Sequence, residues 1–416
     1  MNWITNKDTI VFDPNFNEEL DTELISGFSK LIFSDYVLNE KLFEHYANDD
    51  FDDLDYKTNN FNKDVSNLQS GLILITFGYE FNKNVSNLPQ TITFIKFGSN
   101  FNKDVSKLPY LMTHLIFGYD FNQDVSCLPP TLTHLTFGVR FNQNVSELPP
   151  TLNHLTFGLR FNQYVFTLPH NLTHLTFGNE FNRSVSNLPK NITNLTFDKK
   201  FNQDVSKLPT SVIYLTFGYE FNKDVSKLPL FLTHLTFGYE FNQDVSVLPL
   251  SLTHLTFGYK FNQDVSKLPP TLTHLTFGLN FNQNLLKLPL SLTHLILNYA
   301  FNQKIIFSSN IKYLKLGCNN SYIINSLPNS IIELELDYHF GLQMDNLPTS
   351  IKKIVFDIDS RYNMDLNCLP DYVEELHLNR HYAKRILCIP RNLKKLICHK
   401  DYAYKDDFMI SNVETY

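Results

Sequence analysis

The sequence lacks the features of a nucleic-acid-binding, secreted or membrane-spanning protein. Its 416 residues include 35 Lys and Arg against 42 Asp and Glu, which gives a formal net charge of -7. General nucleic-acid binding needs a basic surface, so this balance argues against it. Residues 1–20 have no basic segment followed by an apolar one, and no apolar run is long enough to span a membrane. We therefore expect a cytoplasmic protein that is not secreted and has no nucleic-acid or membrane partner.

Cysteine is scarce, and the familiar catalytic motifs are missing. The five cysteines are odd in number and lack metal-ligand spacing, which indicates free thiols in a reducing compartment. The sequence has no nucleophile elbow, phosphate-binding loop, pair of catalytic carboxylates or metal motif. We therefore expect no enzymatic activity, no cofactor and no metal.

What the sequence does contain is a repeat. Residues 261–280, FNQDVSKLPPTLTHLTFGLN, have near-copies head to tail, and the dipeptide Phe-Asn recurs every 20 residues from Phe61 to Phe301. A fixed period of this size is typical of a solenoid, in which each coil buries its apolar side chains only against neighbouring coils. The alternation at the end of the coil predicts one short strand, and Pro269 excludes a regular helix around it. Stacked coils would align these strands in one parallel sheet.

These coils resemble a known repeat family. The pattern Leu-x-x-Leu-x-Phe is similar to leucine-rich repeats (LRRs). The whole unit resembles the FNIP repeat, which is known from social amoebae and giant viruses that infect amoebae. The Phe-Asn start, the Leu-Pro step and the L-T-x-L-T-F-G end carry this resemblance over at least residues 61–302.

The resemblance implies a repeat solenoid that is mainly β. It would be a right-handed, LRR-like stack with one parallel sheet on its concave face and about 20 residues per coil. A closed parallel β-helix is the alternative, and a second regular strand around Phe261 to Val265 would favour it. If the chain is viral, the compartment is the host cytoplasm.

We expect one continuous solenoid made of four stretches. They are residues 1–60 (degenerate coils and an N-terminal cap), 61–302 (regular coils), 303–400 (divergent coils) and 401–416 (a C-terminal cap or tail). The first stretch would include a degenerate coil through Leu42, Phe51 and Leu54.

An asparagine follows the first phenylalanine of every regular coil. We interpret these residues as a structural ladder whose buried amides bond to the backbone of adjacent coils. The members are Asn62, Asn82, Asn102, Asn122, Asn142, Asn162, Asn182, Asn202, Asn222, Asn242, Asn262, Asn282 and Asn302.

Polar residues alternate with the buried strand residues and would lie on the concave face, where LRR proteins usually bind partners. The candidate partner-binding residues are His114, His134, His154, His174, His234, His254, His274, His294, Thr136, Thr156, Thr176, Thr236, Thr256 and Thr276. The alternative is a polar row that packs on itself along the sheet. A metal or catalytic site is disfavoured because the row is linear and has no carboxylates in register.

The divergent coils replace this row by charges of alternating sign. Opposite charges on adjacent strands attract, so we predict a salt-bridge ladder. Its members are Glu333, Lys353, Glu375 and Lys395, with Lys352, Glu374 and Lys394 beside them.

The two ends of the chain differ in charge. Acidic residues dominate one end: Glu40, Glu44, Asp49, Asp50, Asp52, Asp53 and Asp55. Between residues 380 and 400 there is no acidic residue, and the basic residues are Arg380, Lys384, Arg385, Arg391, Lys394, Lys395 and Lys400. These are either solvated caps or surfaces for weak head-to-tail self-association, or the C-terminal end captures an acidic partner.

The expected function is a non-enzymatic scaffold that presents its concave sheet to an unidentified protein. A structural or virion-associated repeat protein is one alternative. A substrate-recognition adaptor that acts with a separate ubiquitin-ligase subunit is another.

Overall fold

Each regular coil contributes one short strand, which in most coils has three residues, such as His274–Thr276, in which only the central Leu275 is fully buried. This follows from the sequence because successive side chains of a strand point to opposite faces of the sheet.

The computed structural model describes residues 2–38 and 56–416. The chain forms two compact units, Met1–Val212 and Ile213–Tyr416.

In the first unit, one antiparallel pair precedes a parallel sheet. Its strands are β1 (Trp3–Asn6), β2 (Thr9–Phe12), β3 (Lys30–Phe33), β4 (Leu74–Thr76), β5 (Phe94–Lys96), β6 (His114–Ile116), β7 (His134–Thr136), β8 (His154–Thr156), β9 (His174–Thr176) and β10 (Asn194–Thr196). β1 pairs with β2 as a hairpin, and from β2 onward every strand to β10 is parallel to the next. Leu115 lies opposite Leu135 and Leu135 opposite Leu155, so equivalent residues form continuous rows.

The interval between consecutive strands departs from 20 residues between β3 and β4. The degenerate coil predicted through Leu42, Phe51 and Leu54 lies outside the described residues, as do the acidic residues between 40 and 55. β3 pairs directly with β4, with Leu31 opposite Ile75. No strand therefore lies between these two in the sheet.

The second unit is a parallel sheet throughout. Its strands are β11 (Tyr214–Thr216), β12 (His234–Thr236), β13 (His254–Thr256), β14 (His274–Thr276), β15 (His294–Leu297), β16 (Tyr313–Leu316), β17 (Glu333–Leu336), β18 (Lys353–Phe356), β19 (Glu375–His377), β20 (Lys395–Cys398) and β21 (Asn412–Thr415). Each is in register with the next. Helix in the described part of the chain is limited to α1 (Ser321–Ile324) and one 3₁₀ turn (Lys405–Asp407).

Two ladders of phenylalanine run through the core of the regular coils in both units. At the junction of two successive coils, the rings of Phe257 and Phe261 are stacked with centroids 3.7 Å apart. The next coil continues each ladder, with Phe277 at 5.7 Å from Phe257 and Phe281 at 6.0 Å from Phe261. Stacked aromatic pairs add about 0.5–1.5 kcal/mol each beyond the area they bury. The core is thus built by repetition along the stack.

The return path of the regular coils has no helix and no strand. Residues 261–265 form no strand, so the alternative of a closed β-helix is not supported. Gly258 permits close contact between coils, because a Cβ atom there would lie 1.8 Å from the carbonyl oxygen of Gly238. The sequence-based fold class, a parallel solenoid of about 20 residues per coil, is confirmed.

A buried hydroxyl in the second unit gives a first prediction. Tyr362 occupies the phenylalanine position of its coil, is 2% exposed, and its hydroxyl has no hydrogen-bond partner among the described residues. Tyr402, at the same position of a later coil, donates to the carbonyl of Lys384 at 2.9 Å. An unsatisfied buried hydroxyl costs free energy, so Tyr362→Phe should stabilise the unit by about 1 kcal/mol. Tyr402→Phe should destabilise it by a similar amount, and chemical denaturation of both variants measures the contrast.

Candidate functional site

The solvent-facing side of the sheet carries rows of histidine and threonine, which we call the polar face. It comprises His114, His134, His154, His174, Thr136, Thr156 and Thr176 in the first unit, and His234, His254, His274, His294, Thr236, Thr256 and Thr276 in the second. These residues flank the buried central leucine of each strand and are half-buried, except that His174 is exposed. All the predicted candidate residues therefore share one face within each unit.

The imidazole rings of adjacent coils are stacked. In the first unit, the His114 and His134 centroids are 4.2 Å apart with planes inclined by 12°, and the distances onward to His154 and His174 are 4.3 and 4.1 Å. Because strands are in register, equivalent side chains stand above one another. The rings form a continuous column.

The second unit repeats this arrangement. Neighbouring rings in the column from His234 to His294 are 4.0 to 4.1 Å apart. Tyrosine continues the column on either side, with Tyr214 at 4.4 Å from His234 and Tyr313 at 5.5 Å from His294.

A threonine that precedes each strand orients the rings. The Thr273 hydroxyl lies 2.9 Å from Nδ1 of His274 and 3.0 Å from the carbonyl oxygen of Thr253. A hydroxyl has one hydrogen and a carbonyl oxygen can only accept. Thr273 therefore donates to the carbonyl, and Nδ1–H of His274 donates to Thr273. This leaves Nε2 unprotonated.

One substitution in the pattern supports this tautomer. Asn153 stands where other coils have threonine, and its Oδ1 lies 2.7 Å from Nδ1 of His154. Because an amide oxygen only accepts, Nδ1 must carry the hydrogen.

The threonines that anchor the rings were not among the predicted candidates. They are Thr113, Thr133, Thr173, Thr233, Thr253, Thr273 and Thr293. The recurring Thr-His dipeptide is the sequence signal for them.

The outward-facing groups are left unpaired. Among the described residues, no hydrogen bond reaches Nε2 of the polar-face histidines or the hydroxyls of its threonines. The rings are nevertheless fixed by stacking and by the bond at Nδ1. The polar face is therefore a preordered array of hydrogen-bonding groups.

The environment keeps most of these histidines neutral. Partial burial lowers the pKa of His114, His134, His154, His234, His254, His274 and His294. Neighbouring imidazoles lower it further for many of them, and the pKa of His274 falls to about 4. At the end of the column, the carboxylate of Glu333 opposes this effect on His294.

An apolar cluster bounds the face near the start of the first unit. Val11 and Ile32 occupy solvent-facing strand positions but are only 0% and 6% exposed, because Ile4, Leu38 and other apolar side chains cover them. The sequence alternation alone would place both side chains in solvent.

The predicted salt-bridge ladder is present in part. Lys353 pairs with Glu333 at 3.0 Å, and Glu374 pairs with both Lys352 and Lys394 at 3.0 and 2.6 Å. Glu375 lies instead 2.5 Å from His377 on its own strand. Lys395 pairs with Glu414 on β21 at 3.0 Å, a strand that the repeat pattern does not reveal.

A more buried group lies beside this ladder. Glu335 accepts hydrogen bonds from the Tyr313 hydroxyl and the Lys315 ammonium, each at 2.5 Å. Burial opposes its ionisation, but the bonds from Lys315 and Tyr313 outweigh burial and lower the pKa of Glu335.

Glu335→Gln should cost about 1–2 kcal/mol of unfolding free energy, because the amide accepts only one of these bonds well and its nitrogen faces a donor. Glu374→Gln, whose lysine partners are 58% and 71% exposed, should change the free energy of unfolding much less, because solvent screens exposed ion pairs. Equal losses in denaturant titrations of the two variants would contradict this ranking.

The cations near the C-terminus are largely paired. Their partners are acids of neighbouring coils: Arg380 with Asp359, Arg385 with Asp407, Arg391 with Asp371, Lys394 with Glu374, and Lys395 with Glu414. The expectation of a basic end rests only on residues close in sequence. In the structure, carboxylates from neighbouring coils compensate much of that positive charge.

The asparagine ladder links neighbouring coils through the backbone. Oδ1 of Asn242 accepts the N–H of Asn262 at 2.9 Å, and Asn262 does the same for Asn282 at 2.8 Å. The glutamine that follows donates back, as Gln263 Nε2 does to Asn242 Oδ1 at 3.1 Å. The expectation that these amides are buried is wrong. The asparagines are half-buried or exposed, because their side chains lie along the outer surface of the return path.

The described ranges, 2–38 and 56–416, contain neither a metal-binding cluster nor a membrane-spanning helix. No group of three or more His, Cys, Asp or Glu is placed to hold a metal ion. No helix there has the length and apolar character needed to cross a membrane.

The coil geometry and the parallel strands of each unit define an LRR-like β-solenoid. The model of the FNIP Repeat matches residues 101–139, 121–160, 141–180, 181–220, 221–260, 244–280, 261–300 and 301–339. The chain belongs to the FNIP repeat family, as the sequence resemblance predicts.

The chain is similar to several solved structures, and the first of them supports this class. CroV588 of a giant virus, described as a novel circular LRR protein, is 32% identical with a TM-score of 0.77, over 100% of this chain and 70% of its own. YopM of Yersinia enterocolitica is 19% identical (TM-score 0.49; 83% and 82% covered). The InlJ functional domain of Listeria monocytogenes is 17% identical (TM-score 0.49; 79% and 73% covered). No curated protein matches the chain.

Proposed function

We propose that the chain is a non-enzymatic scaffold that binds another protein on the polar face. One observation carries this proposal: in-register rows of imidazole Nε2 atoms and threonine hydroxyls have no partner among the described residues. A surface whose side chains are already fixed loses little conformational entropy on binding, which favours affinity. LRR-like folds typically serve as interaction scaffolds, which supports the same assignment.

The chemistry of the face indicates what the partner supplies. With Nδ1 bonded to threonine, each Nε2 is a hydrogen-bond acceptor. A partner would therefore present N–H or O–H donors, repeated at the spacing of the coils. Compared with a charged surface, such a contact would depend little on ionic strength.

Affinity capture from the native cells with matched variants tests the proposal. His234, His254, His274 and His294 are changed together to Ser, which removes one column but no buried side chain. The control changes Lys227, Lys267 and Lys287 to Ser, because these exposed residues lie on the return path of the same coils. We expect that a protein captured by the wild type is lost with the histidine variant and retained with the lysine variant.

If both folded variants capture the same proteins as the wild type, the polar face is not the binding surface. Co-fractionation of the chain with particles, unchanged in both variants, would favour the structural or virion-associated alternative. Capture of ubiquitin-ligase subunits that requires the histidines would favour the adaptor.

A further inference from the structure

The two terminal strands leave backbone groups unpaired at the sheet edges. β1 pairs only with β2, and β21 only with β20, within the described part of the chain. Unpaired strand edges are templates for pairing with another strand. The hydrogen-bond register identifies which residues are available at each edge.

At the β1 edge, the available residues are Trp3 and Thr5. The N–H of Asp13 donates to the carbonyl of Asn2 at 2.8 Å. Hydrogen-bonded pairs alternate along an antiparallel ladder, so Ile4 and Asn6 also bond to β2. Trp3 and Thr5 therefore direct their N–H and C=O groups away from β2.

At the β21 edge, the available residues are Val413 and Thr415. Tyr416 donates its N–H to the carbonyl of Cys398 and accepts the N–H of Lys400 at its own carbonyl. In a parallel pair, residues two apart direct their backbone groups to the same side, so Asn412 and Glu414 also bond to β20. Each edge thus offers two outward-facing residues.

Among the described residues, neither edge strand carries a proline or an unpaired charge that would prevent pairing. Proteins guard exposed edges with proline, unpaired charges or covering segments. The strands WITN and NVET contain no proline, and their one charge, Glu414, is paired with Lys395 at 3.0 Å.

We propose that β21 of one copy pairs with β1 of a second copy, so that the protein associates head to tail through its backbone. If strand direction is kept from one sheet to the next, the two strands meet antiparallel, because β1 is antiparallel to its own sheet and β21 is parallel to its own. Antiparallel pairing is the more stable kind. The proposal is independent of the polar face, and since most C-terminal cations are already paired, it does not depend on opposite charges at the ends.

Sedimentation of proline variants of the full chain tests the proposal. Proline removes an N–H donor, and at Thr5 or Val413 that donor takes no part in the β1–β2 or β20–β21 bonds. The wild type should rise in mean mass above 48.5 kDa as its concentration increases, over a range of about 10 µM to 1 mM, which covers weak specific contacts. Thr5→Pro and Val413→Pro should each remain monomeric when alone.

A mixture of the two proline variants gives the decisive result. Each variant keeps the edge that the other has lost, so the mixture should form dimers but nothing larger. Thr5→Val and Val413→Thr keep the N–H and should behave as the wild type. If a proline variant lowers the melting temperature, the same experiments are done with Thr5→Lys and Val413→Lys. Lysine keeps every backbone hydrogen bond of the fold, and its charge disfavours pairing at the edge.

A wild type that stays monomeric throughout the range overturns the proposal. So does association retained by either blocked variant alone, because that contact would not join β1 to β21. Absence of dimers from the mixture has the same consequence.

Discussion

A single aspartate in the core should unfold the second unit. Leu275 and Phe277 are 1% and 0% exposed and lie among apolar side chains of their own and adjacent coils. An unpaired charge at such a position costs at least about 4 kcal/mol, a large part of the stability of an ordinary domain. Leu275→Asp or Phe277→Asp should therefore abolish the cooperative thermal transition of that unit, as followed by circular dichroism.

His274→Ser is the control for this prediction. It lies beside Leu275 on the same strand but faces solvent, so it should lower the melting temperature only slightly. A core aspartate variant that melts like the wild type would mean that these side chains are not packed inside the stack.

Acidification should destabilise both units through their histidine columns. The folded-state pKa is lowered for His114, His134, His154, His234, His254, His274 and His294, to about 4 for His274, against about 6.5 in an unfolded chain. The native state therefore binds fewer protons, and stability is lost as the pH falls below about 6.5 toward the folded-state value. Two imidazolium rings about 4 Å apart repel by roughly 1 kcal/mol even in water, so each adjacent pair adds to the loss.

Urea titrations between neutral and mildly acidic pH measure this effect. The matched variant changes all the polar-face histidines to Ser and should show a nearly flat profile over the same range. An equal decline in the variant would assign the acid response to other groups, such as the carboxylates of the ion pairs.

The sequence predicted the repeating parts of the molecule well, and the reason is physical. When one residue type recurs in every coil, stacking leaves one consistent environment for it, as the buried Leu275 and the solvent-facing His274 illustrate. The strand position, the core ladders and the polar face all follow from this rule.

Features that occur once were not predictable in the same way. β1 and β21 contain no repeat pattern, and only the hydrogen bonds reveal them. The sequence places Arg391 among other basic residues, but in the structure it forms an ion pair with Asp371, which lies one coil earlier. The ring orientation of His274 depends on two distances to Thr273 that no residue pattern specifies.

The link from Asn242 to Asn262 and from Asn262 to Asn282 has a consequence for how such a gene can change. Each regular coil provides a side-chain acceptor for the coil that follows and a backbone donor for the coil before it, at an interval of 20 residues. Losing or gaining one coil in register joins the same donor to the same acceptor. Recombination between copies can therefore change the length of the protein in steps of about twenty codons without creating an unpaired group in the ladder.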